Sequence, residues 1–212
     1  VNRAPAKTQA ALFEVMEERQ ATVDGVTHPM DELFTIIATQ NPVEQEGTYK
    51  LPEAQLDRFL VKVTMGYPTP EEEFEILMRH QRHPLHDLSH VSPILSHDEL
   101  IEMRGVMSRV VVDDEVLRYI CRITDQTRHS RSIYLGASPR AAVAMLGMAK
   151  AYALLHGRDF VCPDDVKTVA PAVLSHRLML TAEAEMEGMN VEKVVMRLLE
   201  SAVVDSPAEV DA

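Results

Sequence analysis

One stretch, Leu33-Phe34-Thr35-Ile36-Ile37-Ala38-Thr39, limits most severely what this chain can fold into. It is too continuously apolar for an edge strand facing water. It reads as a strand buried on both faces, as in parallel sheets covered by helices. A second run, from Phe59 to about Met65, reads the same way and stops before Pro68. Around these two runs the signals alternate between helix and strand. Pro5 suits the first turn of a helix that continues to about Glu18, with Leu12, Val15 and Met16 on one face. Gln20-Ala21-Thr22-Val23, Asp24-Gly25 and Val26-Thr27-His28 read as a hairpin, because Asp-Gly supplies the positive φ angles of a tight turn. A loop with Gly47 and Pro52 then leads to a short helix around Glu53–Arg58.

From Thr69 onward helix signals take over. Thr69-Pro70-Glu71-Glu72 has the composition of a capping box with proline at the first helical position, and Ser96-His97-Asp98-Glu99 repeats the logic. Asp113 caps a helix expected to turn Val116, Leu117, Ile120 and Cys121 inward. Ser138-Pro139 opens another, whose inward residues Ala141, Ala142, Met145, Ala149, Tyr152 and Ala153 predict close helix packing. Pro163-Asp164-Asp165 starts a further helix, and Asn190 caps the last, with Val194, Val195, Leu198 and Leu199 buried. The His- and Pro-rich segment His80–Pro93 reads as a connection, and the end of the chain as a frayed tail. The expected division is 1–68 for an incomplete α/β core, 69–204 for an all-α domain and 205–212 for the tail.

Charge narrows the partners. Lys+Arg number 21 and Asp+Glu 33 in 212 residues, a net charge of −12, which argues against nucleic acid or an anionic membrane surface. Two cysteines, Cys121 and Cys162, make no disulfide framework and suit a reducing cytosol; Cys121 falls on a face expected to be core. No apolar run approaches the ~18 residues of a membrane span, and no signal peptide is legible. A chain that opens Val-Asn-Arg reads as a piece of something longer. Two patterns imitate sites. Val110-Val111-Val112-Asp113-Asp114-Glu115 looks like an apolar strand ending in acids, but it leads straight into a helical pattern, so Asp113 is read as a cap. His80, His83, His86 and His90 suggest metal spacing, yet Pro84 breaks any helix there and no carboxylate or cysteine completes a tetrahedral set. No metal ligand is expected.

Four phrases in order, Val1–Gln9, Ile37–Pro42, Leu51–Phe59 and Gly136–Ala141, resemble the MoxR family of AAA+ ATPases. The resemblance runs from Val1 to about Leu199. It implies a partial P-loop-type parallel-sheet core followed by an all-α helical lid. Asn41 matches the sensor-1 amide that orients water, and Arg58 the arginine finger that acts on a neighbouring subunit's site. Arg140 matches sensor 2, with its own or a neighbour's site left open. On residue chemistry alone, Asn41-Pro42 is also a common turn and Arg58 a helix-end cation. Arg140 at the second position of a helix is an odd place for a cation, which favours phosphate contact.

The 22–28 hairpin matches the pre-sensor-1 insertion, and its tip carries no Lys or Arg, so a DNA motor is disfavoured. Glu44, Glu46 and Glu53 read as solvated loop charges. No glycine heads a phosphate-binding loop, and the acidic pair that holds Mg²⁺ belongs just upstream of Val1. By resemblance, the intact protein is expected to bind ATP and Mg²⁺ in a cytoplasmic homo-oligomeric ring, a hexamer. It would remodel or mature client proteins, among them ones carrying von Willebrand A domains. The chain alone is expected to be inactive. Two other readings are a non-catalytic interaction module and a magnesium-chelatase-type subunit. Two apolar strands without their neighbours also predict association that covers a sheet edge.

Overall fold

The computed structural model describes residues 5–40, 51–82 and 91–202. Helix α1 (Ala6–Glu18) follows Pro5 and ends at Arg19, which is left-handed (φ 50°) and donates its N–H to the Val15 carbonyl. Strands β1 (Gln20–Val23) and β2 (Val26–Pro29) pair antiparallel with Thr22 opposite Thr27. Asp24 (φ 51°) and Gly25 (φ 80°) form the turn, both in the positive-φ region that the Asp-Gly pair anticipates. After the hairpin, Asp31 closes a local turn by accepting the Leu33 N–H at 2.8 Å.

The two long apolar runs do not become strands. Residues 33–40 and 61–69 are irregular, with Ile37 88% and Met65 92% exposed. A strand exists only as half of a ladder, and among the described residues no strand lies beside either run. Sequence reading was right about their apolar character, but burial on both faces needs covering layers that the described residues do not supply. The described sheets are two antiparallel pairs, β1–β2 and a second near the C-terminal end.

Helices α2 (Glu53–Leu56), α3 (Pro70–Arg82) and α4 (His97–Met107) follow. Both predicted capping boxes form. Thr69 N–H donates to Glu72 Oε2 at 2.8 Å, and Ser96 N–H to Glu99 Oε2 at 2.7 Å. Helix α4 buries no residue. Polar contacts tie it to the turn after the hairpin: His97 Nε2 lies 3.2 Å from Asp31, and Arg104 donates to the Glu32 carbonyl.

The core lies in the last part of the chain. It is built from α5 (Asp114–His129), α6 (Pro139–Leu155), α7 (Pro163–Leu174) and α9 (Val191–Ser201). Between them run β3 (Ile133–Leu135), paired antiparallel with β4 (Met179–Leu180), and the short α8 (Ala182–Met186). Ala141, Met145, Ala149 and Ala153 recur every fourth residue and are fully buried, so α6 presents a narrow stripe that lets α7 approach through Val166, Val169, Ala170 and Val173. Helix α9 buries Val194, Val195 and Leu199 as predicted.

Helix α5 differs from expectation. Its buried side is Val116, Tyr119, Ile120, Ile123 and Thr127, whereas Leu117 and Cys121 face solvent. The spacing 116, 119, 120, 123, 127 follows one helical face, and 117 and 121 lie about 100° away from it. Cys121 is therefore a surface thiol rather than core. Asp113 caps α5 by accepting the Glu115 N–H at 2.8 Å, so the acid-ended valine run is the cap it was read as.

One ion pair fastens the start of α7. Asp165, 2% exposed, receives Arg158 Nη1 at 2.7 Å and Nη2 at 2.5 Å, and also the Cys162 N–H at 2.8 Å. The Arg158 hydrogen bonds hold its carboxyl down to about 2 from 3.8. Arg158→Met leaves that carboxylate buried without its cation and is expected to cost about 3 kcal/mol, read as a lower denaturant midpoint at unchanged slope. Because the folded carboxyl titrates lower than the unfolded one, the pair's contribution is complete above pH 3.8 and lost as pH falls toward 2. The gap between wild type and variant therefore narrows in acid.

Candidate functional site

The loop Gly136-Ala137-Ser138 is clamped onto the end of α5. A Cβ on Gly136 would stand 2.8 Å from the Arg128 Cα, so only glycine fits that close backbone approach. Arg128 Nε donates to the Ala137 carbonyl at 2.9 Å, and the Ala137 N–H donates to Thr127 Oγ1 at 2.9 Å. This fixes where α6 begins. Ser138 Oγ then caps α6 by accepting the Arg140 N–H at 3.1 Å, and Pro139 takes the first helical position.

Arg140 thus stands at the positive end of α6, which disfavours a cation. Its compensation comes from a distant element. Glu17, near the end of α1, accepts Arg140 Nη2 on Oε1 at 2.8 Å. Arg58, in the turn after α2, pairs with the same oxygen through Nη1. The structure therefore brings two of the three predicted residues, Arg58 and Arg140, onto one carboxylate oxygen. Asn41 lies outside the described residues, as do Glu44 and Glu46; Glu53 is exposed in the first turn of α2. Guanidinium forks around a carboxylate use the geometry that also receives phosphate oxygens. The Arg140 side of the cluster is open to water, with that side chain 55% exposed, whereas the Arg58 side chain is 23% exposed.

Beneath the cluster lies a group that sequence reading missed. Arg177, 7% exposed, follows α7 and turns back toward residues 57–60. Its Nε donates to Asp57 Oδ1 at 3.0 Å and its Nη1 to the Leu60 carbonyl at 3.1 Å. Its Nη2 donates to the Asp57 carbonyl at 3.1 Å and the Phe59 carbonyl at 2.5 Å, and Nη1 also reaches the Val173 carbonyl. Burial pulls this guanidinium below its usual range, and the Asp57 hydrogen bond opposes the shift. The second Asp57 oxygen, Oδ2, accepts the Ser138 hydroxyl at 2.8 Å. Neighbouring His176 donates Nε2–H to the Phe59 carbonyl at 2.9 Å, while its Nδ1 is buried with no acceptor or donor opposite among the described residues. The available signal was Ser175-His176-Arg177, a polar triplet set between Val173-Leu174 and Leu178. Its partners are more than a hundred residues away, and the triplet itself does not identify them.

Two family models and several relatives match this chain. Residues 1–61 match the family described as "ATPase family associated with various cellular activities (AAA)", and residues 125–198 match the AAA lid domain. The uncharacterized protein YeaC of Bacillus subtilis is 45% identical over 205 residues, covering 96% of this chain and 63% of YeaC. Chaperone MoxR1 of Mycobacterium tuberculosis is 41% identical over 213 residues, covering 96% of this chain and 55% of MoxR1. A crystal structure of a Cytophaga hutchinsonii protein assigned as an ATPase superposes with a TM-score of 0.89 at 38% identity, over 97% of this chain and 64% of that one. The chain therefore spans less than two thirds of the length of these relatives.

The buried imidazole makes the seam sensitive to acid. Burial, the largest cause, together with Arg177 and Lys62, lowers the His176 pKa below 6.5, against the opposing hydrogen bond to Phe59. The unfolded chain then binds the proton first, so stability is complete above about pH 6.5 and declines as pH falls from there toward the depressed folded value. His176→Gln keeps an amide donor for Phe59 and does not titrate. Its melting temperature is expected to hold between pH 6.5 and 5 while that of wild type falls, as followed by circular dichroism.

Proposed function

The chain belongs to the MoxR family of AAA+ ATPases, and on that premise we propose that Arg58 and Arg140 are its contacts to the transferring phosphate of ATP. The observation that carries the reading is their meeting on Glu17 Oε1. A phosphate that displaces this carboxylate is met by both guanidiniums at once, so Arg58 and Arg140 serve one and the same site. Arg58 acts as the finger reaching a neighbouring subunit, and Arg140 accompanies it from the lid. Asn41 is the sensor that orients the attacking water.

ATP supplies the phosphoryl group, and its negative charge fits the two arginines. Mg²⁺ has no such fit here, since the described residues hold no cluster of three His, Cys, Asp or Glu side chains. The intact protein binds ATP–Mg²⁺ at the subunit interfaces of a cytoplasmic hexameric ring and couples hydrolysis to remodelling of protein clients, including von Willebrand A domain proteins. Residues 1–68 act as the end of the α/β core and 69–204 as the lid. The exposed runs 33–40 and 61–69 are the surface on which the remaining core strands pair. Among the described residues no helix is long and apolar enough to cross a membrane.

Neutralising transition-state charge with a trans arginine accounts for factors of about 10³–10⁵ in related phosphoryl transfers. In the full-length protein, Arg58→Ala is expected to reduce ATP turnover by at least about 10³-fold while nucleotide affinity stays within twofold. Turnover near the wild-type rate would remove Arg58 from the finger role.

A further inference from the structure

Arg58 and Arg140 sit on different elements, Arg58 in the turn after α2 and Arg140 in the first turn of α6. Besides their shared Glu17 oxygen, they are joined through a near neighbour of each. Asp57 immediately precedes Arg58, and Ser138 caps the helix that carries Arg140. The Ser138 hydroxyl donates to Asp57 Oδ2 at 2.8 Å, and on its other side accepts the Arg140 N–H at 3.1 Å. Asp57 cannot yield freely, because Arg177 grips both its Oδ1, at 3.0 Å, and its backbone carbonyl, at 3.1 Å. Arg177 in turn rests on the last turn of α7 through the Val173 carbonyl. Helix α7 packs along α6, so one rigid unit holds Arg140, Ser138 and Arg177.

We propose that Asp57 and Ser138 are positioning residues that lock the Arg58 finger to the α6–α7 unit, so that a movement of the lid is delivered to the finger as a change of its position. This rests on reading Arg58 as the finger. The coupling runs through a single hydroxyl–carboxylate hydrogen bond on the α6 side and through the buried Arg177 on the α7 side. The first can be altered without removing a helix cap, because aspartate and glycine both serve at the N-cap.

The test uses the full-length ATPase with four variants: Ser138→Gly, Ser138→Asp, the double variant Ser138→Asp with Asp57→Asn, and Arg58→Ala. Steady-state hydrolysis gives kcat, a fluorescent ATP analogue gives affinity, and thermal melts report folding. Ser138→Gly removes the donor to Asp57, and its kcat is expected to fall about tenfold with affinity within twofold, the scale of one lost hydrogen bond to a charged group. Ser138→Asp sets a carboxylate against Asp57 and is expected to fall further. Asp57→Asn in that background turns the clash back into an amide–carboxylate hydrogen bond while keeping an oxygen for Arg177, and kcat is expected to recover to within about threefold of wild type.

Wild-type kcat in Ser138→Gly overturns the proposal, as does a loss of affinity without loss of kcat, or a double variant that stays as slow as Ser138→Asp. Should Ser138→Asp fail to fold, Ser138→Gly and the double variant still decide. Arg58→Ala separates the two levels. Normal turnover in Arg58→Ala removes the finger reading itself, whereas lost turnover there beside wild-type turnover in Ser138→Gly removes only the coupling.

Discussion

A buried guanidinium holds residues 57–60 against the end of α7. Arg177 is nearly inaccessible, yet its donors point at groups of residues 57–60 and at the end of α7. A charge taken out of water costs several kcal/mol, and only dense hydrogen bonding with an opposite charge offsets it. That makes the seam specific rather than merely adhesive. No slipped arrangement of residues 57–60 would satisfy Asp57 and the two carbonyls beyond it together. His176 adds one donor to the same segment, and Lys62 N–H reaches the Ala172 carbonyl at 2.9 Å.

The two sides of the seam are stabilised differently. Beyond residue 110 the helices bury their own apolar faces, with Tyr119, Ile123, Met145 and Leu174 fully enclosed. Among the described residues before 110 little is buried apart from Phe13, Leu51 and Gln9, and polar contacts do much of the holding. Helix α4 reaches the turn after the hairpin through His97 and Arg104, and α1 reaches α6 through Glu17. Non-directional burial makes a rigid lid, while directional contacts place residues 5–60 on it at a set angle. Polar contacts on the water-facing side exchange partners at small net cost, whereas the packed helices do not rearrange.

What could be read from sequence follows the range of the interactions. Caps at Thr69, Ser96, Asp113, Ser138 and Asn190 were legible because donor and acceptor lie two or three residues apart. The Asp24-Gly25 turn was legible for the same reason. Helix α5 was read rightly at Val116 and Ile120 but wrongly at Leu117 and Cys121, because these two are as apolar as the residues that pack, and only the position of α6 decides between the faces. The run 33–39 announces a need for cover without naming what covers it. Arg58 and Arg140 were found through family phrases, but their meeting at Glu17 joins residues 123 apart, 17 and 140, and has no local signature. Asp57 and Arg177 are separated by 120 positions and were missed for that reason.

The placement of Arg140 shows how the proposed site stays stable before it is used. A cation at a helix N-terminus is repelled by the helix dipole, and a second cation beside it adds to the cost. Glu17, 38% exposed, answers both from a partly open position, where water screens its attraction for Arg140. The buried alternative would have been self-defeating. A carboxylate enclosed as Asp165 is would hold its arginines too firmly to release them. Firm attachment is kept one residue away, at Asp57, where Arg177 and Ser138 fix the backbone from which Arg58 extends. The polypeptide thus separates the two demands, rigid placement through buried groups and exchangeable charge through exposed ones, between adjacent residues.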